Sequence, residues 1–243
     1  MKYIGVDGCK IGWFYTVIDN ENKWEIGVSE NVKKLWGTHK NASLILIDIP
    51  IGLPFKKSRA CDIEARKLLG KGKTSTVFPP PCREALAAKT YEEACEINKK
   101  VLGKKISLQA YHISKKIKEV DDFLLSNPHA RQIIRETHPE ICFWGLNQRQ
   151  PMGNRKKDEA GFEERLNLLV RYIPNARSIL REVLSSYLRK EVAPDDALDA
   201  LVGLVVASTS DDAIKTLPEN PTRDSHGLPM EMVFTEHPNE RAL

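Results

Sequence analysis

The sequence predicts an α/β fold: a mixed sheet of five strands, flanked by helices and carrying a helical insertion. Three observations lead there. Residues 3–28 read as three short strands joined by tight turns. Ser43 to Ile49 is an apolar run of the kind that suits a central strand buried on both faces. Beyond it the apolar residues recur at helical spacing, with one further strand-like run at Ile133 to Thr137.

The first strand, Tyr3-Ile4-Gly5-Val6, runs into Asp7-Gly8. The second spans Trp13 to Ile18, and Asp19-Asn20-Glu21-Asn22 turns into the third, Lys23 to Val28. Asn31 to Trp36 is a short helix with Ser29 as its expected cap. As a crossover, that helix returns the Ser43–Ile49 strand parallel to the first. The pattern changes after Pro50-Ile51-Gly52-Leu53-Pro54. Arg59 to Leu69 reads as a helix stopped by Gly70, and Thr74 to Pro81 as a stiff loop with three prolines after Phe78. Helices are expected at Glu84–Lys89, Glu92–Leu102 and Ser107–Leu125. The fifth strand runs into a proline turn at His138-Pro139-Glu140. Met152 to Asp158 is a polar, basic loop, followed by helices at Glu159–Arg171, Ala176–Arg189 and Asp195–Ser208. Ala200 and Gly203 in the last helix allow close packing on a sheet. The tail carries one strand-like piece, Met230 to Phe234. The expected organisation is one domain over 1–210 with an insertion at about 55–130, and a tail, 211–243, packing on it.

A net charge of +4 over 243 residues permits a phosphate-rich partner without demanding one. Five cysteines without a C-x-x-C pair argue against a disulfide framework and structural zinc, so a reducing cytosol is the simplest setting. No apolar run approaches transmembrane length, and neither a signal peptide nor an anchor is expected.

The chemistry lies in the acidic residues. Asp7 and Asp48 end strands expected to be parallel, and ligands of open α/β sheets gather outside the carboxyl ends of strands. Asp196 and Asp199 stand at i and i+3 and share a helix side; Asp195 reads equally as a cap. A buried carboxylate is costly unless paired or bound to a cation. Clustered aspartates with no matching lysine therefore signal a divalent metal, and oxygen-only ligands favour Mg²⁺ or Mn²⁺. Glu136, after the fifth strand, is a further candidate for the cluster, as is Glu140 nearby, and His138 a candidate proton carrier near neutral pH. The run His138-Pro139-Glu140 is not H-E-x-x-H, so zinc is not indicated. Arg59, Asp62 and Arg66 share one helix side, either as a solvated ion-pair stripe or facing the site, where an arginine fork suits phosphate. Arg83, Lys156 and Arg165 are further candidate phosphate contacts.

Several segments combine into a recognisable set. Gly5-Val6-Asp7-Gly8-Cys9-Lys10 is followed by Gly12-Trp13 and by Ile47-Asp48-Ile49-Pro50-Ile51-Gly52-Leu53-Pro54. Arg59-Ala60-Cys61-Asp62 with Ala65-Arg66, then Val77-Phe78-Pro79-Pro80-Pro81, come next. Glu136-Thr137-His138-Pro139-Glu140, Asp195-Asp196-Ala197-Leu198-Asp199-Ala200 and Gly227-Leu228-Pro229-Met230-Glu231-Met232-Val233 complete the set. Together they resemble a family of predicted nucleases of ribonuclease H-like fold, domain of unknown function 429. More distantly, Asp196 to Leu201 is similar to the last-helix motif of Holliday-junction resolvases. One departure is Asp48, where many such nucleases use a longer glutamate.

The resemblance implies a ribonuclease H-like fold and metal-dependent hydrolysis of phosphodiester bonds in nucleic acid. Asp7, Asp48 and Asp199, with Asp196 or Glu136, would hold one or two Mg²⁺ or Mn²⁺ ions. Arg59, Asp62, Arg83, His138, Lys156 and Arg165 would contact substrate. No membrane partner is expected, and the oligomeric state is left open. Two rivals stand beside this expectation. One is a phosphotransferase or nucleotide hydrolase of the actin-like superfamily, which needs two Gly-rich phosphate loops where this chain has one candidate. The other is a non-catalytic nucleic-acid-binding or regulatory protein.

Overall fold

A computed structural model describes residues 1–236 of the chain, so 237–243 of the expected tail lie outside the described residues. The central sheet has five strands in the order β3-β2-β1-β4-β5. These are β1 (Lys2–Cys9), β2 (Gly12–Asp19), β3 (Trp24–Ser29), β4 (Leu44–Ile47) and β5 (Ile134–Glu136). The first three form an antiparallel meander, and β4 and β5 run parallel to β1. The chain crosses from β3 to β4 through α1 (Val32–His39). Its cap is Asn31, whose side chain accepts the Lys34 N–H at 2.9 Å. The expected cap, Ser29, instead closes β3 and donates its hydroxyl to the Asn31 carbonyl.

The insertion begins with α2 (Ala60–Leu69), which stops at Gly70 with φ near +69°, a left-handed value that glycine tolerates. The helix expected at Glu84–Lys89 is only a 3₁₀ turn, Arg83–Ala87, tight against the rigid proline run. α3 (Tyr91–Leu102) is capped by Thr90, α4 (Leu108–Ser126) by Ser107, and α5 (Ala130–Ile133) leads into β5.

The expected proline turn at 138–140 is the start of a helix, α6 (Pro139–Leu146). Proline suits the first turn because its missing N–H has no intrahelical partner there. Every residue of α6 is buried, so it shows no amphipathic stripe to read. α7 (Glu159–Val170), α8 (Ala176–Ser186) and α9 (Pro194–Ala207) follow. The tail holds two strands rather than one: β6 (Ile214–Arg223) pairs antiparallel with β7 (Pro229–Thr235). β6 escapes sequence reading because prolines and polar residues interrupt its alternation. β7 reaches the main sheet's margin, where the Thr137 hydroxyl donates to the Val233 carbonyl at 2.7 Å and Arg135 pairs with Glu231.

The sheet is buried on both faces. Ile4, Val6, Ile45 and Ile47 pack with α1 and α4 on one side. Phe14 and Leu46 pack with α6, α8 and α9 on the other. All five cysteines are buried and unpaired. No described helix is long and apolar enough to cross a membrane.

α9 lies directly on β1. A Cβ built on Gly5 would stand 2.0 Å from the Ala200 carbonyl oxygen and 2.4 Å from the Leu204 nitrogen. A Cβ on Gly203 would meet only ordinary contacts, the nearest at 3.5 Å. The demand for a missing side chain therefore falls on the strand, not on Gly203 of the helix. Gly5→Ala must push α9 off the sheet, and overpacking of this kind costs about 1–3 kcal/mol or more. Denaturant unfolding should show at least that loss, and an unchanged midpoint would mean that helix and strand do not touch here.

Candidate active site at the strand ends

Side chains on a strand alternate between faces. Leu46 faces α9, so Asp48, two residues on, does too; Gly5 faces α9, and so does Asp7. Asp7 lies within β1, which runs on to Cys9 instead of ending at Val6, and pairs with Phe14; Asp48 follows β4, its N–H donating to the Val6 carbonyl. α9, held against Gly5, brings Asp199 to the same place. Asp7, Asp48 and Asp199 line one cavity of about 570 Å³, with Ile49, Val77, Phe78 and Met232 among its apolar walls.

The electrostatics follow from that convergence. Burial, then the charges of Asp48, Asp199 and Asp196, hold the Asp7 carboxyl well above its ordinary value. Burial and Asp199 push Asp48 up to about 6, against a downward pull from His138. Burial raises Asp199 as well, with Lys156 opposing and Glu140 adding to the rise. Asp196 does not line the cavity. It, rather than Asp195, closes the helix start, accepting the Ala193 N–H at 2.8 Å, and burial raises it to about 6.

Lys156 corrects the expectation of aspartates without a lysine. Its ammonium donates to Asp199 Oδ2 at 2.6 Å and lies 3.5 Å from Asp195 Oδ2, so it serves first as a counter-charge inside the cluster. Among the described residues no three His, Cys, Asp or Glu side chains are already drawn together as a metal cage. Two observations still fit a cation. The carboxylates raise one another's affinity for protons, and Asp199 Oδ1 is buried without any hydrogen-bond partner.

Glu136 is set apart from the aspartates by register. It pairs with Ile47, which faces the α1 and α4 side, so it points away from Asp7 and Asp48. It still lines the cavity, where Arg59 grips it at 2.6 and 2.7 Å and the Ile51 N–H donates to the same oxygen as the longer bond. Arg59 also pairs with Asp62, and its side chain is fully buried. Arg59 and Asp62 thus line the cavity as expected of residues facing the site, but as a buried ion-pair network instead of a solvated stripe. Arg66 bonds the Val77 carbonyl and anchors the loop that forms the cavity wall. Arg165, also expected to meet phosphate, is buried on Glu140. Arg83 lies outside the cavity, clamping Asp121, Asp224 and His226. His138 does line the cavity; its Nε2 is 3.2 Å from the Thr76 carbonyl and its Nδ1 is buried without a partner.

Basic residues that the sequence reading passed over stand nearer the opening. Exposed Arg155 and Lys157 line the cavity, as do half-buried Lys73 and Lys116. The basic run Arg155-Lys156-Lys157 carries that signal in the sequence.

The raised carboxyls define a pH test. A group whose folded pKa lies above its unfolded value favours the folded state below the unfolded value, and that contribution is lost as pH rises through the folded one. In chelator the wild-type melting temperature should therefore carry a fall between about pH 4 and about pH 7, since unfolded aspartate titrates near about 3.9. Asp48→Asn removes one mutually repelling charge, so its fall should be shallower and its stability at neutral pH equal to or above wild type. Parallel pH profiles for the two proteins would remove Asp48 from the cluster.

Comparisons with curated proteins and with solved structures return no match. A family model described as "Protein of unknown function (DUF429)" matches residues 5–223, which is most of the 243-residue chain, and the protein belongs to that family.

Proposed function

We propose that the protein is a divalent-metal-dependent nuclease of ribonuclease H-like fold that hydrolyses phosphodiester bonds. The observation that carries the reading is the meeting of Asp7, Asp48 and Asp199, from β1, the end of β4 and α9, in one cavity. The strand order and the parallel and antiparallel pairings, β3-β2-β1-β4-β5, support the fold assignment. The donor set is all oxygen, which suits Mg²⁺ or Mn²⁺. Asp7, Asp48 and Asp199 would hold the ion or ions, with Asp196 fixing the first turn of α9. One or two such ions would supply an activated water and stabilise the leaving oxygen.

The chain's own residues supply the rest. Lys156 neutralises Asp199 and would have to release it to a bound ion; its side chain is about one-third exposed and rises from a loop. His138, with an unpartnered Nδ1 in the cavity, is placed to carry a proton. Arg155, Lys157, Lys73 and Lys116 would hold the phosphate backbone. A volume of about 570 Å³ admits a nucleotide-sized unit.

Mn²⁺ or Mg²⁺ should support cleavage of single-stranded DNA or RNA, and Asp7→Asn and Asp199→Asn should each reduce it to background. Unchanged turnover by either variant, after removal of contaminating nucleases, would end this reading. Wild type should also gain about 2.7 kcal/mol of stability from the ion at a hundredfold excess over its dissociation constant.

Backbone contact predicts a steep fall of affinity with salt. Arg155→Ala and Lys157→Ala should each flatten the slope of log affinity against log salt by about one unit. Arg83→Ala should leave the slope alone, because Arg83 is committed to Asp121 and Asp224. A salt-insensitive binding curve would point to an uncharged small ligand instead.

A further inference from the structure

Two glutamates near the site are each buried against their own arginine, and they differ in one respect. Glu136 has both oxygens engaged: Oε1 by Arg59, Oε2 by Arg59 and by the Ile51 N–H. Glu140 has one. Its Oε1 accepts both Arg165 bonds, at 3.0 Å from Nε and 2.6 Å from Nη2, while Oε2 is buried without a partner. Arg165 cannot turn to reach it, because its Nη1 is held by the carbonyls of Gly161 at 2.8 Å and Asn154 at 3.3 Å.

The same asymmetry recurs at Asp199, where Oδ2 takes Lys156 and Oδ1 is orphaned. Glu140 and Asp199 are 5% and 3% exposed and line the same cavity. Buried acceptors normally have donors, so an orphan needs an occupant. With Arg59 spent on Asp62 and Glu136, the remaining buried or half-buried carboxylates of the wall are Asp7, Asp48, Asp199 and Glu140. Among the cations of the wall, Arg165 and Lys156 are the ones in ion-pair contact with them, one on Glu140 and one on Asp199, and each leaves one carboxylate oxygen uncovered. An occupant that meets two orphan carboxylate oxygens is a hard divalent cation.

We propose that Glu140, aimed by Arg165, is a further carboxylate ligand of the cation site, sharing an ion with Asp199, and that Glu136 is structural. This rests on the metal-dependent reading above and adds a ligand that Asp7, Asp48 and Asp199 do not supply.

The test is Mn²⁺ binding to the full chain, followed by calorimetry and by the electron paramagnetic resonance signal of the free ion. Glu140→Gln keeps an oxygen for Arg165 but loses the charge, and should weaken Mn²⁺ binding about tenfold or more, or remove one equivalent. Glu136→Gln should lower stability while leaving stoichiometry and affinity within about twofold of wild type. The double variant E140Q/R165M leaves no unpaired buried charge and should show the same Mn²⁺ defect; it decides the matter if the single variant does not fold. Wild-type affinity and stoichiometry in either folded variant overturn the assignment of Glu140, as does an equal defect in Glu136→Gln. A wild type that binds no Mn²⁺ defeats the metal reading itself.

Discussion

The close approach of α9 to β1 at Gly5 sets the rest of the molecule. It places a helix backbone where a strand side chain would otherwise stand, and so fixes the height of Asp199 above the strand ends. Asp7 follows Gly5 by two residues on the same face, and Asp48 stands beside it on the neighbouring parallel strand. Had the strand carried alanine at position 5, helix and sheet would separate and the three carboxylates with them. The buried apolar surfaces of α9 and of the sheet provide the driving force for this contact, while the glycine provides its geometry.

Bringing acids together inside a protein creates a charge problem, and this chain meets it with cations of different kinds. Arg59 and Arg165 are wholly buried, each on a glutamate, and each also donates to main-chain carbonyls. A planar guanidinium can satisfy several acceptors at once, which is why arginine serves in the interior. Lys156 is different: a point charge on a flexible stem, part-exposed, resting on Asp199. The fixed pairs hold the walls of the cavity. The lysine covers the charge of Asp199 from a part-exposed side chain.

The C-terminal hairpin adds a second layer of support. Thr137 and Arg135 tie β5 to β7, and Asp224 in the connection between β6 and β7 accepts from the Leu53 N–H and from Arg83. The loop after β4 and the end of β5 are therefore both held by residues from the end of the described chain. The cavity wall that they form is assembled from segments that are distant in sequence.

What the sequence determined by itself is the local part. The meander, the crossover, the parallel return of β4, the stop at Gly70 and the aspartates at strand and helix ends all follow from turn residues and apolar period. These signals act over a few residues. α6 and β6 were not legible, the first because it is buried all round and the second because prolines break its pattern. Tertiary structure alone decided the charge partners. Lys156 meets Asp199 across 43 residues and Arg59 meets Glu136 across 77. Whether Glu136 faced the aspartates or turned from them depended on one step of strand register. Pairing over such distances is set by how the elements close on one another, and periodicity carries no record of that closure.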